Sequence, residues 1–451
     1  MITDMTEGSP SKTLWTFSFP MLCSTIFQQL YNIADSVIAG RYINENALAA
    51  TGASYPITML FMAVALGCNI GCCVVISQLF GAKKYDKMKS AVSTSFITFT
   101  LLSLLLTLIG LIFCTPMLRL LNTPTNILES SGTYLRIYIL GLIFLFIYNI
   151  STGIFTALGD SKTPLYFLVA SSLGNILLDI VFVVFLNGGI AGIAWATFLA
   201  QGISSILAFI TLRRRLKKID CKKSTPLFST EMLKSITLIA LPSVLQQSFI
   251  SVGNLFIQGL VNSYGASVIA GYSAAIKLNT FALTSFTTLG NGLSSFTAQN
   301  IGAGKLERVK KGFNAGLIMA FCVVIPFFIL YFFCNKMMIC LFIKSPTTEA
   351  LLTGKQFLTI VAPFYIIISI KLIADGVLRG AGAMKAFMIA TFSDLILRVI
   401  ISYILSYFLG SIGIWLSWPI GWSIGAILSY IFYVQGIKQS FSFVKLREAL
   451  E

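Results

Sequence analysis

The chain has 451 residues, 56% of them hydrophobic and 11% charged, with a net charge of +16 and no histidine. So little charge excludes a soluble domain of this size, and the absence of ten-residue alternating strands excludes a membrane β-barrel. The positive charge does not signal nucleic acid, because the lysines and arginines lie in short loops between apolar runs.

What remains is an all-α polytopic membrane protein, its runs long enough to cross ~30 Å of hydrocarbon at roughly 20 residues each. No signal peptide is expected, since residues 1–12 are polar and no small-residue cleavage site follows a short apolar run. Six transmembrane helices are predicted at 13–41, 46–80, 93–114, 130–158, 164–186 and 190–212. Six more are predicted at 236–262, 267–299, 312–334, 356–380, 386–409 and 411–434. They form an amino-terminal lobe over 1–212 and a carboxy-terminal lobe over 236–434. A basic linker at 213–235 joins them, and a tail at 435–451 follows.

An even number of spans puts both termini on one side. With that side cytoplasmic, the inner segments hold Lys12, the lysines of 81–92, Lys162, the linker, the basic residues of 300–311, Lys385 and the tail. The outer loops hold only Arg41, Arg119, Lys336, Lys344 and Lys355. The bias places both termini in the cytoplasm of a cell-membrane protein.

The halves repeat. FPMLCSTIFQQLYNIADSVIAGRY aligns with LPSVLQQSFISVGNLFIQGLVNSY, setting Pro20 on Pro242 and Asn32 on Asn254. QLFGAKKYDKMK aligns with QNIGAGKLERVKK, and GIFTALG with GVLRGAG. Six spans per half preserve orientation, so the lobes are pseudo-symmetric parallel repeats about an axis along the membrane normal, an arrangement typical of transporters.

The first span carries Asp35 inside an apolar run, with Gln28, Tyr31 and Asn32 on the same helix face. A carboxylate at the centre of a bilayer helix costs on the order of 2.5–3.5 kcal/mol, so it marks a functional site by default. In the fifth span Asn175 and Asp179 are one turn apart, and Thr197 and Tyr134 come from spans six and four. At 1.5 Å per residue these groups lie at one level, roughly 10 Å below the outer surface. Helix-bridging hydrogen bonds account for the Asn, Thr and Tyr. Two aspartates with no nearby basic residue point instead to a site that takes up a proton or a small cation. Oxygen ligands from Asp35, Asn175, Asp179 and Thr197 suit sodium.

The second half has Ile257 opposite Asp35 and Arg398 opposite Asp179. Its buried charges are read as Lys277, Lys371, Asp375, Arg379, Asp394 and Arg398, serving as internal ion pairs or in gating. Lys277 has no local partner in the sequence. Pro20 and Pro242 fall inside helices, as static kinks or as hinges. Gly67, Gly71, Gly290 and Gly292 are read as close-packing positions. The cysteines are nine in number, without a CxxC pair, and read as small apolar residues. No nucleotide-binding loop or histidine site supports an enzyme. No cofactor is expected.

The repeat arrangement, the FP…YNIADSVIAGRY opening, QLFGAKK after span two and GNILLD in span five resemble the multidrug and toxic compound extrusion (MATE) family. The Asp35, Asn175, Asp179 and Thr197 set is similar to its DinF-like prokaryotic branch, in which these positions form an amino-terminal-lobe cation or proton site. Pro20 then matches that branch's bending first-helix proline, and Gln28 and Asn149 fall where drug contacts occur. The resemblance implies a monomeric antiporter that exchanges sodium or protons for small, often cationic, organic compounds. The NorM-like branch instead uses a span-seven glutamate and a span-ten aspartate. Asp375 matches the second, but span seven has no acidic residue. A flippase for lipid-linked or polysaccharide precursors, from the wider superfamily, is the alternative.

Overall fold

In a computed structural model the apolar runs are helices, as hydrocarbon requires, since it offers backbone N–H and C=O groups no partner outside the chain. The structure describes residues 3–42, 45–121, 123–220, 225–343 and 347–439, the side chains of 32–48 excepted. The first half comprises α1 (Pro10–Tyr42), α2 (Glu45–Gly81), α3 (Tyr85–Leu120), α4 (Thr125–Leu140), α5 (Leu142–Ala157), α6 (Lys162–Ile180) and α7 (Gly189–Leu216). The second comprises α8 (Thr230–Asn262), α9 (Ala266–Gly302), α10 (Leu306–Phe333), the short α11 (Asn335–Cys340), α12 (Thr348–Val361), α13 (Tyr365–Gly380), α14 (Met384–Leu409) and α15 (Ser411–Lys438).

Two predicted spans are broken. The fourth bends by 46° at Gly141, between α4 and α5. The tenth tightens to a 3-10 turn over Ala362–Phe364, where Pro363 lacks the N–H that an α-helix needs. Counting each broken pair once gives six long helical spans per half among the described residues. α7 runs on through Arg213–Arg215, and α8 opens at Thr230.

The chain folds as two compact units. One holds Met1–Asp4 and Cys23–Ser248, the other Met5–Leu22 and Phe249–Glu451. The membership of α1 changes two residues past Pro20, and that of α8 six residues past Pro242. In the first unit α2 packs on α3, α4 and α5, and α7 packs on α4, α5 and α6. Gly67 and Gly71 let α2 approach α8, because a Cβ there would lie 2.3 Å and 2.6 Å from Val244 and Ala240.

In the second unit α14 lies along α15, and α9 packs on α10, α12 and α13. Gly290 and Gly376 make the α9–α13 approach, since a Cβ on Gly376 would sit 2.4 Å from the Gly290 carbonyl oxygen. An aromatic core including Tyr272, Phe357, Tyr365, Trp415, Trp418 and Trp422 fills this unit. Its loop GAGKLERVKK holds the N-terminal segment. Arg308 donates to the carbonyls of Met5, Glu7 and Gly8, and Lys305 to that of Thr6 at 2.9 Å.

The internal repeat is present in the backbone. After α2, Lys83 has φ +57°, and after α9 the aligned Gly304 has φ +72°. After α5 and α13, Gly159 and Gly382 have φ +75° and +74°. Each residue ends a helix in the left-handed conformation, for which glycine is the unstrained choice. A Cβ on Gly304 would meet nothing within 4 Å. Gly304→Ala therefore tests backbone strain alone: a loss of about 1 kcal/mol is expected, while Lys83→Gly leaves stability level or raises it. Thermal melts of both variants in detergent check this.

Candidate functional site

The first unit assembles most of the predicted polar set. Asn175 and Asp179 lie one turn apart on α6 and are buried, Asp179 completely. The hydroxyl of Tyr31 on α1 donates a short hydrogen bond to Asn175 Oδ1, joining the two helices. Asn175 Nδ2 has no partner among the described residues. Asn32 and Asp35 lie on α1, but their side chains fall outside the described residues. Gln28 is half-buried on the same helix, and Pro20 is buried.

Directly after Asp179 the helix widens into a π turn over Val181–Phe185, closed by Leu186 N–H donating to the Val181 carbonyl at 3.0 Å. Such turns concentrate at functional sites. The Phe182 carbonyl accepts from Gly188 N–H at 2.8 Å. A left-handed reversal at Asn187 and Gly189 then sends α7 back along α6. Asp179 stands eight residues before Asn187 and Thr197 eight after Gly189, so the turn sets both at one depth. Thr197 is half-buried. Tyr134 on α4 packs against Val183 of the π turn and Ile193 of α7. Between Lys162 and Arg213 the only charged residue is Asp179.

Asn149 belongs to the same unit. It is buried on α5, its Nδ2 donates to the Leu145 carbonyl at 2.8 Å, and its own carbonyl accepts from Asn69 Nδ2 on α2 at 2.7 Å. The second bond ties α2 to the main chain of α5. The sequence reading passed over Asn69, and also over a buried ion pair near the end of α7. There Arg215 meets Asp160, whose Oδ1 accepts from Thr163 N–H at 3.1 Å. An aspartate three residues ahead of a helical Thr was its available signal.

The second unit answers its charges differently. Lys371 on α13 places Nζ 2.8 Å from Asp375 Oδ2 and 3.7 Å from Asp394 Oδ2, with all three residues buried. Ser429 on α15 donates to Asp375 Oδ1 at 2.5 Å. Gly421 and Gly425 leave room for this group, since a Cβ at Gly425 would lie 2.6 Å from the Lys371 side chain. The ammonium stands between two carboxylates as a tethered cation.

Two expectations for this unit are corrected. Lys277 is exposed rather than buried, with its ammonium 5.9 Å from the Phe342 ring centroid. Its long stem lets the charge lie on an aromatic face instead of entering the core. The Asp394–Arg398 spacing suggests an i,i+4 pair, but Asp394 turns to Lys371 and Arg398 lies over Trp418 at 4.3 Å. Arg379 donates to Asn291 Oδ1 at 2.6 Å and faces Phe387.

Twelve helical spans in two repeated units, with titratable side chains buried among them, make the arrangement of a membrane transporter. The chain belongs to the MatE family, whose model matches residues 20–181 and again 242–404, each match opening on the helix proline. "Probable multidrug resistance protein YpnP" of Bacillus subtilis (strain 168) is 30% identical over 96% of this chain and 97% of its own length. "Probable multidrug resistance protein YoeA" of the same organism is 27% identical, over 95% of each chain. An outward-facing multidrug resistance MATE family transporter of the MOP superfamily superposes with a TM-score of 0.89 at 23% identity, covering 96% of this chain and 97% of that one.

Removing the tethered ammonium would leave two buried carboxylates facing one another. Lys371→Met is expected to lower stability by about 3–5 kcal/mol, and the triple change Lys371→Met, Asp375→Asn, Asp394→Asn to recover most of it. Comparing the melts of the two variants with wild type checks the pairing.

Proposed function

We propose that the protein is a secondary antiporter that exports small organic, often cationic, compounds in exchange for protons or sodium. Coupling runs through Asp35, Asn175, Asp179 and Thr197 of the first unit, with Tyr134 beside them. The observation that carries this reading is the fully buried Asp179, one turn from an asparagine that α1 already reaches through Tyr31. The relatives' multidrug resistance descriptions support the substrate class. Gln28, Tyr31 and Asn32 line the same stretch of α1 and would contact substrate. The basic bias of the loops supports cytoplasmic termini, and the working unit of this proposal is a monomer.

The chemistry is competition for one place. Two carboxylates in a low-dielectric setting cannot both stay charged and unoccupied cheaply, so either a proton or a hard cation resides there. Entry of that ion down its gradient neutralises the cluster and changes the hydrogen bonding that Tyr31 brings from α1. Alternating access then needs the two states to differ in ion affinity by only a few kcal/mol. Pro20 is the natural hinge, because it breaks the backbone ladder two residues before α1 changes units.

A flippase for an anionic lipid-linked precursor is the second reading. It is favoured by the second unit, where Lys371, Arg379 and Arg398 outnumber Asp375 and Asp394 among the buried charges.

Asp35→Asn and Asp179→Asn mimic permanent protonation. Each is expected to fold while transport falls to the empty-vesicle background. Efflux of a cationic dye from vesicles, driven separately by sodium and by proton gradients, measures this and identifies the ion. Wild-type rates in both variants would move coupling out of this unit, and dye export absent under either gradient would favour the flippase.

A further inference from the structure

The end of α7 carries a feature that transport does not use. On one face of this helix Ile203, Ile206 and Ile210 are 56%, 51% and 40% exposed. One turn on, the same face continues as Arg213, Arg214 and Lys217, all exposed. Phe209, Ile210 and these three basic residues line a groove of about 260 Å³. An apolar stripe facing acyl chains thus runs into a basic cradle where the hydrocarbon ends.

The consecutive arginines are sorted by the helix's 100° step. Arg215 turns inward to Asp160, donates to Thr163 Oγ1 at 2.9 Å and lies over Phe155. Arg213 and Arg214 point outward. Just beyond the helix, Lys89 donates to the Ile219 carbonyl at 2.6 Å. The helix end is therefore pinned from both sides, and Phe209 packs edge-on against Phe96 of α3. The cradle is held before any ligand arrives.

A basic loop alone sets topology and needs no ligand, so the groove under these charges decides, because Phe209 and Ile210 give it an apolar floor. Lys87 reaches Glu231 at 3.6 Å, Lys310 reaches Glu307 at 2.6 Å, and Lys305 and Arg308 hold the N-terminal segment. Among the described residues, Arg213, Arg214 and Lys217 have no carboxylate partner. Three unneutralised cations round a groove with an apolar floor match an amphiphile with an anionic head and an acyl tail.

We propose that this groove binds the headgroup of an anionic phospholipid, with Arg213, Arg214 and Lys217 on the phosphate and the acyl chain along Ile203, Ile206 and Ile210. The bound lipid fixes the end of α7, and through Arg215 and Asp160 the start of α6, the helix that carries Asp179. The site stands independently of the coupling ion and of the exported substrate.

The test compares two triple variants of equal charge in the full-length protein. One is Arg213→Gln, Arg214→Gln, Lys217→Gln. The control is Lys234→Gln, Lys311→Gln, Lys385→Gln, which removes three exposed lysines elsewhere. Lipid retention is read by native mass spectrometry after titration with phosphatidylglycerol and with phosphatidylcholine. Wild type and control should retain phosphatidylglycerol preferentially, and the groove variant should lose that preference by roughly tenfold or more. An equal loss in both variants would reduce the effect to net charge and overturn the site. Undiminished retention in the groove variant would overturn it too, as would thermal stabilisation of wild type by inorganic phosphate equal to that by phosphatidylglycerol. If the groove variant does not fold, wild type decides the matter: no preference for phosphatidylglycerol over phosphatidylcholine sinks the proposal.

Discussion

A charge inside hydrocarbon has to be answered by the protein, because no water is there to do it. The whole fold follows from that constraint. It makes each crossing a helix, it makes breaks such as Gly141 and Pro363 possible only where neighbouring helices pack, and it leaves few places for a carboxylate. The second unit answers with a covalent counter-ion, Lys371, held at 2.8 Å from Asp375 and completed by Ser429. The first carries Asp179 one turn from Asn175, which accepts from the Tyr31 hydroxyl, and just ahead of the loosened backbone of a π turn.

The two answers are set on one repeated scaffold. The left-handed residues that close α2 and α9, and those that close α5 and α13, have nearly equal φ angles despite the change from Lys83 to Gly304. The backbone template was kept while the polar interior diverged. Ile257 stands opposite Asp35, and Arg398, lying over Trp418, stands opposite Asp179. Duplication therefore sets where helices run, and single side chains decide what each unit holds.

Much of this is legible in the sequence because hydrocarbon removes alternatives. Span positions, the repeat and the Asn175–Asp179 pair follow from apolar run length and helical spacing. The close-packing role of Gly67, Gly71 and Gly290 follows from their lack of a side chain. What spacing cannot give is a choice among partners on other helices. An i,i+4 rule pairs Asp394 with Arg398, yet Lys371 comes from α13 and takes the carboxylate, leaving the guanidinium to an indole face. Lys277 looked buried because its span is apolar, but the rotation of α9 about its axis turns it out. The π turn has no composition of its own, and Asn69 escapes a side-chain pattern because its partner is a main-chain carbonyl, that of Asn149.

The asymmetry bears on how a pseudo-symmetric protein transduces a gradient. An occupant tied to the backbone cannot equilibrate with either side of a membrane, so the Lys371 ammonium can stabilise its unit but cannot carry ion free energy. Only an exchangeable occupant can, and moving one charge across 100 mV makes about 2.3 kcal/mol available. That is the scale of the affinity difference alternating access requires. On this reading the first unit works and the second serves as its fixed counterpart. Because α1 contributes residues to both units, the proposed mechanism has a change in what Tyr31 bonds delivered along a single helix, past Pro20, which lacks a backbone N–H for the helix ladder.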